Sequence, residues 1–358
     1  MANLQNIRRR IRSVKSIQKI TNAMDMIARS RFNAAKDTLL SNIPYVDKTR
    51  EIIRRIMTQM NVSESESPFV MSRQDLINAQ TRTDGKFLFL IIAADKGLAG
   101  AYSSNVLKEA HETIEYDGTS PADAVPADEE ENFHKQNVDA LRNGVSGEQL
   151  RAQKNAAKGG AKRTAANLSV AKDYNDADYV SDIELITVGR KATAHFKQRG
   201  YNIIKHYHGI SERPNYQYAK EIADLIMERF LTGEIIDVTM IYTRFNSAIS
   251  CTPADVTLLP LVTDDYPSEN AAKEEYIYEP DVVTVLNEFL PRRIATRVYG
   301  AMLHSAAAEL SSRMNAMSNA TDNAQELVGK LNLYYNKVRQ AGITNEINEI
   351  VGGANALE

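Results

Sequence analysis

Long apolar runs are missing from this 358-residue chain: no stretch of 18 or more apolar residues occurs, which excludes a membrane-spanning helix by sequence. Cysteine occurs once, as Cys251, so neither an intrachain disulfide nor a zinc-ribbon pattern can form, and the usage fits a reducing cytoplasm. The basic N-terminus lacks the apolar segment of a secretory leader, and helical periodicity already begins at Leu4, so Met1 is expected to start the functional chain. Phosphate-loop signatures are missing too, neither GxGxxG nor GxxxxGKS/T being present. The run Asp95-Lys-Gly-Leu-Ala-Gly100 is therefore read as a tight strand-to-helix turn. His206 and His208 would share one side of a strand, but no third ligand stands at metal-site spacing. His304 is assigned a packing or surface role, and Cys251 has no activating histidine or basic cluster near it in sequence. With no acid–base pair or triad in view, the chain reads as chemically silent, without cofactor, metal or catalytic residue.

What is present is ordinary folded protein, 43% apolar and 25% charged, of a length that suggests two domains. The formal charge of −3 hides an asymmetry. Residues 1–57 carry thirteen Lys and Arg, among them Arg8, Arg9, Arg10, Arg12, Lys15 and Lys19, against four acids. Residues 264–281 carry seven acids against Lys273 alone. Aromatics are not interleaved with the basic residues, which argues against stacking on nucleic-acid bases.

The strongest positive signal is a stripe near the C-terminus: Leu303, Ala307, Leu310, Met314, Met317, Thr321, Ala324, Val328, Leu331, Tyr335 and Val338. A 3-4 spacing held over about five heptads is the requirement of a left-handed coiled coil. The other end offers a partner, Leu4, Ile7, Ile11, Val14, Ile17, Ile20, Met24 and Ile27, in which the extra three-residue step reads as a stammer. A first helix over 4–60 spans roughly 80 Å, and Pro44 is expected to kink it or shift its register. A last helix begins at Tyr278-Glu-Pro-Asp281 with Pro280 in the first helical position, and Pro291 marks a kink or second start.

Between these helices the pattern changes. Lys86-Phe-Leu-Phe-Leu-Ile-Ile-Ala93 is the continuous apolar run of a strand buried on both faces. Further strands are expected at 183–188, 202–206, 235–242 and 251–262, with helices at 103–116, 190–198 and 216–231. Such alternation specifies an open, mostly parallel α/β sheet. The segment 117–181 is Pro- and acid-rich, then Ala/Lys/Arg-rich, and poor in large apolar residues. It is read as an insertion, with marginal helices near 136–141 and 147–157.

Both termini resemble the γ subunit of F-type ATP synthases, the central stalk. The resemblance rests on Ile7-Arg-Arg-Arg-Ile-Arg-Ser-Val-Lys-Ser-Ile-Gln-Lys-Ile-Thr-Asn-Ala-Met-Asp-Met-Ile-Ala28 and on Tyr335-Asn-Lys-Val-Arg-Gln-Ala-Gly-Ile-Thr-Asn-Glu-Ile-Asn-Glu-Ile-Val351. Ala320-Thr-Asp-Asn-Ala324, Lys96-Gly-Leu-Ala-Gly100, Val188-Gly-Arg-Lys191, Leu258-Leu-Pro-Leu261 and Tyr278-Glu-Pro-Asp281 add to it. It implies an α/β protein in which a long antiparallel coiled coil of the terminal helices joins a Rossmann-like open sheet domain. The division would be 1–60 and 280–358 for the coiled coil and 61–279 for the foot. It further implies a non-catalytic rotor shaft that couples ion-driven rotation of a c-ring to conformational cycling of β-subunit sites. The partners would be the α and β subunits, ε and the c-ring, with membrane association only through them, on the cytoplasmic face of a bacterial inner membrane.

By the same resemblance Arg339, Gln340 and Thr344 match positions that contact a mobile β-subunit loop, with Met24 and Arg313 as neighbours of that region. Tyr276, Tyr278 and Glu279 match the foot surface near ε and the c-ring. Small seam residues (Ala307, Thr321, Ala324) would allow a slim shaft, and the basic first helix would face acidic loops of the surrounding ring. A large exposed apolar face is not expected on an axle. The 117–181 segment departs from the typical bacterial pattern and contains no cysteine, so a dithiol switch of the photosynthetic kind is excluded; a latch or brake and a solvated loop both remain open. The competing classes are a self-pairing coiled-coil scaffold with an α/β head, whose e/g charge symmetry is lacking, and a nucleotide-dependent enzyme, whose phosphate loop is lacking.

Overall fold

The computed structural model describes residues 2–59, 67–72, 75, 85–117, 182–262 and 276–355. The expected helices at 136–141 and 147–157, nearly all of the 117–181 segment, and most of the acidic 264–281 run lie outside the described residues.

Helix α1 covers Ala2–Gln59 and passes through Pro44, which therefore does not end it. Helix α5, the last of the described helices, covers Val282–Asn355 and passes through Pro291. Pro280 lies outside α5 rather than in its first turn. Asp281 is the cap: its carboxylate accepts the Thr284 N–H at 2.9 Å and the Thr284 Oγ1–H at 2.7 Å. This supplies a partner for an amide that the helix itself leaves unbonded.

The two helices run antiparallel. Thr321 Oγ1 donates to Thr21 Oγ1 at 2.7 Å, and Gln18 Nε2 donates to Gln325 Oε1 at 3.3 Å, so numbering falls on one helix as it rises on the other. Beyond Ala320 the described side chains shielded from solvent are those of Thr321, Ala324, Val328, Leu331, Tyr335, Val338 and position Gly342, an unbroken 3-4 series. On α1 the shielded series is Ile7, Ile11, Val14, Gln18, Thr21, Asp25, Ala28, Phe32, Ala35 and Leu39. The stammer drawn through Ile17, Ile20, Met24 and Ile27 is thus corrected: these residues are 50, 55, 37 and 54% exposed. Register belongs to the whole helix, so a strict heptad seam carries Gln18, Thr21 and Asp25 inward even where apolar residues stand one position away. Two of those three polar residues find hydrogen-bond partners on α5.

Five strands form the main sheet: β2 (Lys86–Ile92), β3 (Ile183–Val188), β4 (Asn202–Tyr207), β5 (Ile235–Phe245) and β6 (Cys251–Leu259). Their order is β4-β3-β2-β5-β6, parallel except for the antiparallel edge strand β6. A small parallel pair, β1 (Val70–Met71) with β7 (Leu261–Val262), flanks it. The extended 251–262 segment is divided at Pro260 into β6 and β7. Helices α2 (Tyr102–Asp117) and α3 (Arg190–Gln198) cover one face, where Phe89 and Ile91 pack with Val106, Ile114 and Phe196. Helix α4 (Tyr216–Leu231) and the roots of α1 and α5 cover the other, where Leu88, Leu90 and Ile92 share a cluster with Ile53, Ile226 and Leu290. That is why β2 is apolar throughout.

The long helices are therefore not appended to the sheet. Ile53, Ile56 and Met57 of α1 and Leu286, Leu290, Ile294 and Val298 of α5 lie in the principal core. Each such side chain contributes about 1.5–3 kcal/mol on burial, so the shaft and the sheet domain fold as one unit.

One backbone crossing fixes the top of the sheet. Gly189 has φ +96, and a Cβ there would lie 2.2 Å from the Ala93 carbonyl oxygen. Gly200, at φ +84, has no neighbouring atom within 4 Å of the same position. Gly189→Ala is expected to cost upwards of about 3 kcal/mol, and Gly200→Ala only about 1–2 kcal/mol. Urea unfolding of the two variants checks this; equal losses would mean that the crossing is looser than described.

Candidate functional site

In an open α/β sheet, ligands bind outside the carboxyl ends of the strands, where the strand order reverses. Here that point lies between β2 and β5, and the chain fills it with its own helix. Ala94, just past β2, shares a cluster with Phe245 of β5, Phe32 of α1, and Leu303 and Ala307 of α5. His304 Nδ1 accepts the Phe245 N–H and Ser305 Oγ accepts the Thr243 N–H, both at 3.4 Å. Ser311 Oγ and Asn315 Nδ2 both donate to the Ala248 carbonyl, at 2.6 and 2.7 Å. His304 thus anchors the root of the shaft rather than decorating its surface.

The Asp95–Gly100 turn is likewise committed to the chain itself. The Asp95 carboxylate accepts the backbone N–H of Arg190 at 3.2 Å and of Ser211 at 3.1 Å. Burial pushes this carboxyl up, but backbone hydrogen bonds from Gly209, Ser211 and Arg190 outweigh it and hold the group below the usual carboxylate range. The Gly97 carbonyl accepts from Arg313 Nη2 at 3.3 Å, and Lys96 Nζ donates to Glu212 at 3.1 Å.

Glu212, in the loop between β4 and α4, gathers three cations: Lys96, Arg31 of α1, and Arg313 of α5, the last at 3.1 Å. Burial disfavours its charge, yet Lys96, Arg313 and Arg31 together keep the carboxyl below its ordinary range. Arg313 also donates to Glu309 at 2.5 Å, and Glu309 is fully buried. Burial there wins over Arg313, and the Glu309 carboxyl is raised. Sequence reasoning missed this hub; its trace was the Glu309–Arg313 pair at i,i+4 within an alanine-rich stretch.

The residues singled out by sequence fall in four places. Arg339, Gln340 and Thr344 lie exposed on the far part of α5, where Thr344 Oγ1 donates to the Gln340 carbonyl at 2.9 Å. Met24 is exposed too, but it lies roughly 30 Å from Arg339 along the shaft. It belongs to an outward ridge with Ile17, Ile20 and Ile27. This ridge corrects the expectation that the axle shows no sizeable apolar face. The polar seam positions turn these apolar residues outward. Arg313 is not beside Arg339 either; its guanidinium is spent inside the chain at the neck. At the opposite end the Arg55 guanidinium stands 4.4 Å from the Tyr276 ring centre, and Tyr278 meets Tyr276 at a right angle. Glu279 and the intervening Ile277 face solvent.

Cys251 has its thiol pushed up to about 11 by burial, which makes it a poor nucleophile. The His206 and His208 rings lie 4.7 Å apart, with His208 Nε2 within 3.0 Å of Thr193 Oγ1. Among the described residues no group of three or more His, Cys, Asp or Glu is placed to hold a metal. No helix among them is long and apolar enough to cross a membrane.

A raised folded-state carboxyl contributes stability below its unfolded pKa and loses that contribution as pH rises through the folded value. Wild type should therefore lose stability relative to Glu309→Gln as pH rises above the ordinary glutamate range. Thermal unfolding of both chains across that interval checks the sign; a pH-independent difference would mean that Glu309 ionises normally.

Comparison with known proteins agrees with this architecture. A family model described as ATP synthase matches residues 3–157 and 161–357. The ATP synthase gamma chain of Chloroherpeton thalassium is 32% identical over 367 residues, covering 100% of this chain and 99% of that one. That of Pelotomaculum thermopropionicum is 33% identical over 359 residues and that of Chlorobaculum parvum 31% over 358, each covering 100% of both chains. The aligned length includes the 117–181 segment, so these relatives share its extent. In fold the chain is similar to the rotor of the Euglena gracilis mitochondrial ATP synthase in rotational state 1, with a TM-score of 0.53 at 15% identity over 96% of this chain and 99% of that one. With nearly the whole sequence matched and full-length relatives above 30% identity, the chain belongs to the ATP synthase gamma-chain family.

Proposed function

We propose that the chain is the turning shaft of an F-type ATP synthase and performs no bond chemistry itself. The observation that carries this reading is the rooting of a two-helix shaft in the sheet's own ligand crevice. A crevice filled by His304, Ser305 and Leu303 offers no room to a nucleotide, whereas the same filling makes the sheet domain a rigid handle for the shaft.

In this role the chain acts through differential contact energy. A surrounding ring of α and β subunits meets a different face of the shaft at each orientation, and each face favours one conformation of each β site. Arg339, Gln340 and Thr344 supply polar contacts to a β-subunit loop near the far end, and Met24 with its apolar neighbours supplies a second zone about 30 Å lower. Arg8, Arg9, Arg10, Arg12, Lys15 and Lys19, all exposed, bring a positive field to acidic loops of that ring. Tyr276, Tyr278 and Glu279 belong to the foot that meets ε and the c-ring, and the chain reaches the cytoplasmic face of the bacterial inner membrane through those partners alone. Arg313, held by Glu309, Glu212 and Gly97, acts inside the shaft instead of on the β subunit.

Co-expression with α, β and ε subunits should yield a complex with one copy of this chain that hydrolyses ATP. The pair Arg339→Ala and Gln340→Ala is expected to lower coupled hydrolysis and synthesis about tenfold, a loss of roughly 1.4 kcal/mol, while assembly and unfolding temperature stay unchanged. A chain that purifies as a homo-oligomer and ignores α and β would overturn the reading. Full activity in the double variant would remove Arg339 and Gln340 from it.

A further inference from the structure

At the level of Arg31 and Arg313 the shaft leaves the sheet domain, and the two helices are held there differently. Helix α5 is bonded to the end of β5 through His304 and Ser305 and to the β5–β6 turn through Ser311 and Asn315. Helix α1 packs through Phe32 and Leu39 on α5 and through Phe32 edge-on against Phe245 of β5, ring centres 5.6 Å apart. Beside that contact, a cavity of about 210 Å³ separates Ala34, Ala35 and Thr38 of α1 from Pro214 and from Ala306 of α5. The α1 wall is made of small side chains, and Arg213 and Leu303 complete the lining, so the cavity leaves this part of α1 without close packing against the 212–214 loop. The direct polar tie across its rim is the ion pair of Arg31 with Glu212.

We infer that Glu212 is a positioning residue that pins both helices of the shaft to the sheet domain and adds torsional stiffness at the neck to that of the apolar contacts below it; this rests on the rotor reading above. One carboxylate bridges two helices and the β2–α2 turn, so twisting α1 against the sheet must stretch a charge-assisted bond at Arg31 while Arg313 holds the other oxygen in place. The Glu212 side chain is 13% exposed and that of Arg313 11%, so their attraction is little screened. Lys96, at 65%, is largely solvated and adds charge rather than rigidity.

The test uses the complete complex with its ring immobilised and a bead attached through Lys108→Cys on the exposed surface of α2. Without ATP, the angular variance of the bead reports compliance between ring and sheet domain. Arg31→Gln should raise that variance about twofold and Glu212→Gln, which also frees Arg313 and Lys96, at least as much; adding Arg31→Gln to Glu212→Gln should raise it no further, because the Arg31 tie is already gone. Glu184→Gln is the control: Glu184 is a buried carboxylate paired with Lys86 and Arg229 at the opposite end of the strands. It should lower the unfolding temperature and leave the variance at the wild-type value. Arg31→Gln changes a half-exposed residue and keeps the test valid if Glu212→Gln folds poorly. A wild-type bead that never turns with ATP overturns the rotor reading and the stiffness role with it. A wild-type bead that turns, with variances in Glu212→Gln and Arg31→Gln equal to wild type or matched by Glu184→Gln, overturns the Glu212 inference alone.

Discussion

The burial of the α5 root in the crevice at the carboxyl ends of β2 and β5 is the contact on which the rest of the molecule depends. Parallel strands leave unpaired backbone groups and an open groove at that edge. Ser305 and His304 accept the Thr243 and Phe245 amides of β5, Ser311 and Asn315 share the Ala248 carbonyl of the following turn, and Leu303 and Ala307 fill the groove. Once α5 is seated, α1 has one stripe to follow, and its own foot closes the same core through Ile53 and Ile56. A shaft attached by a flexible linker could carry the same seam, but it could not pass a twist to the sheet domain.

The seam carries a second constraint. An unbroken heptad series along α1 places Gln18, Thr21 and Asp25 against α5 and sends Ile17, Ile20, Met24 and Ile27 outward. Polar seam residues lower the packing energy of the pair, yet they specify its register, as Thr21 with Thr321 and Gln18 with Gln325 do here. The outward ridge costs solubility unless a partner covers it. A shaft that works inside a ring has such a partner at every angle, so the ridge is consistent with the proposed setting.

Much of this was legible in the sequence. The α5 seam followed from spacing alone, because Ala324, Val328, Leu331, Tyr335 and Val338 keep the 3-4 period unbroken, while Leu327, Leu333 and Tyr334 fall off it and are exposed. The continuous apolar run at Lys86–Ala93 announced a strand covered on both faces. The α1 seam was less legible, because Ile17 and Ile20 each stand one position from the shielded Gln18 and Thr21, and the helix keeps the register set by Ile7, Ile11, Ala28 and Phe32. The neck hub was not legible, since Arg31, Lys96, Glu212 and Arg313 come from four distant segments and no spacing rule links them. The separation of Met24 and Arg313 from Arg339 also needed three dimensions: a chain that folds back antiparallel brings position 24 near 318, not near 339.

In the proposed rotor α1 and α5 form one body that turns without sliding or unwinding, and a covalent tie across the seam tests this most directly. Thr21 and Thr321 stand with hydroxyls 2.7 Å apart, close enough for Thr21→Cys and Thr321→Cys to join on oxidation in a Cys251→Ser background. The cross-linked chain in the assembled complex should hydrolyse ATP at the rate of its reduced form. Activity lost on oxidation and restored by reductant would show that the helices must move past one another, and would contradict the single-body shaft.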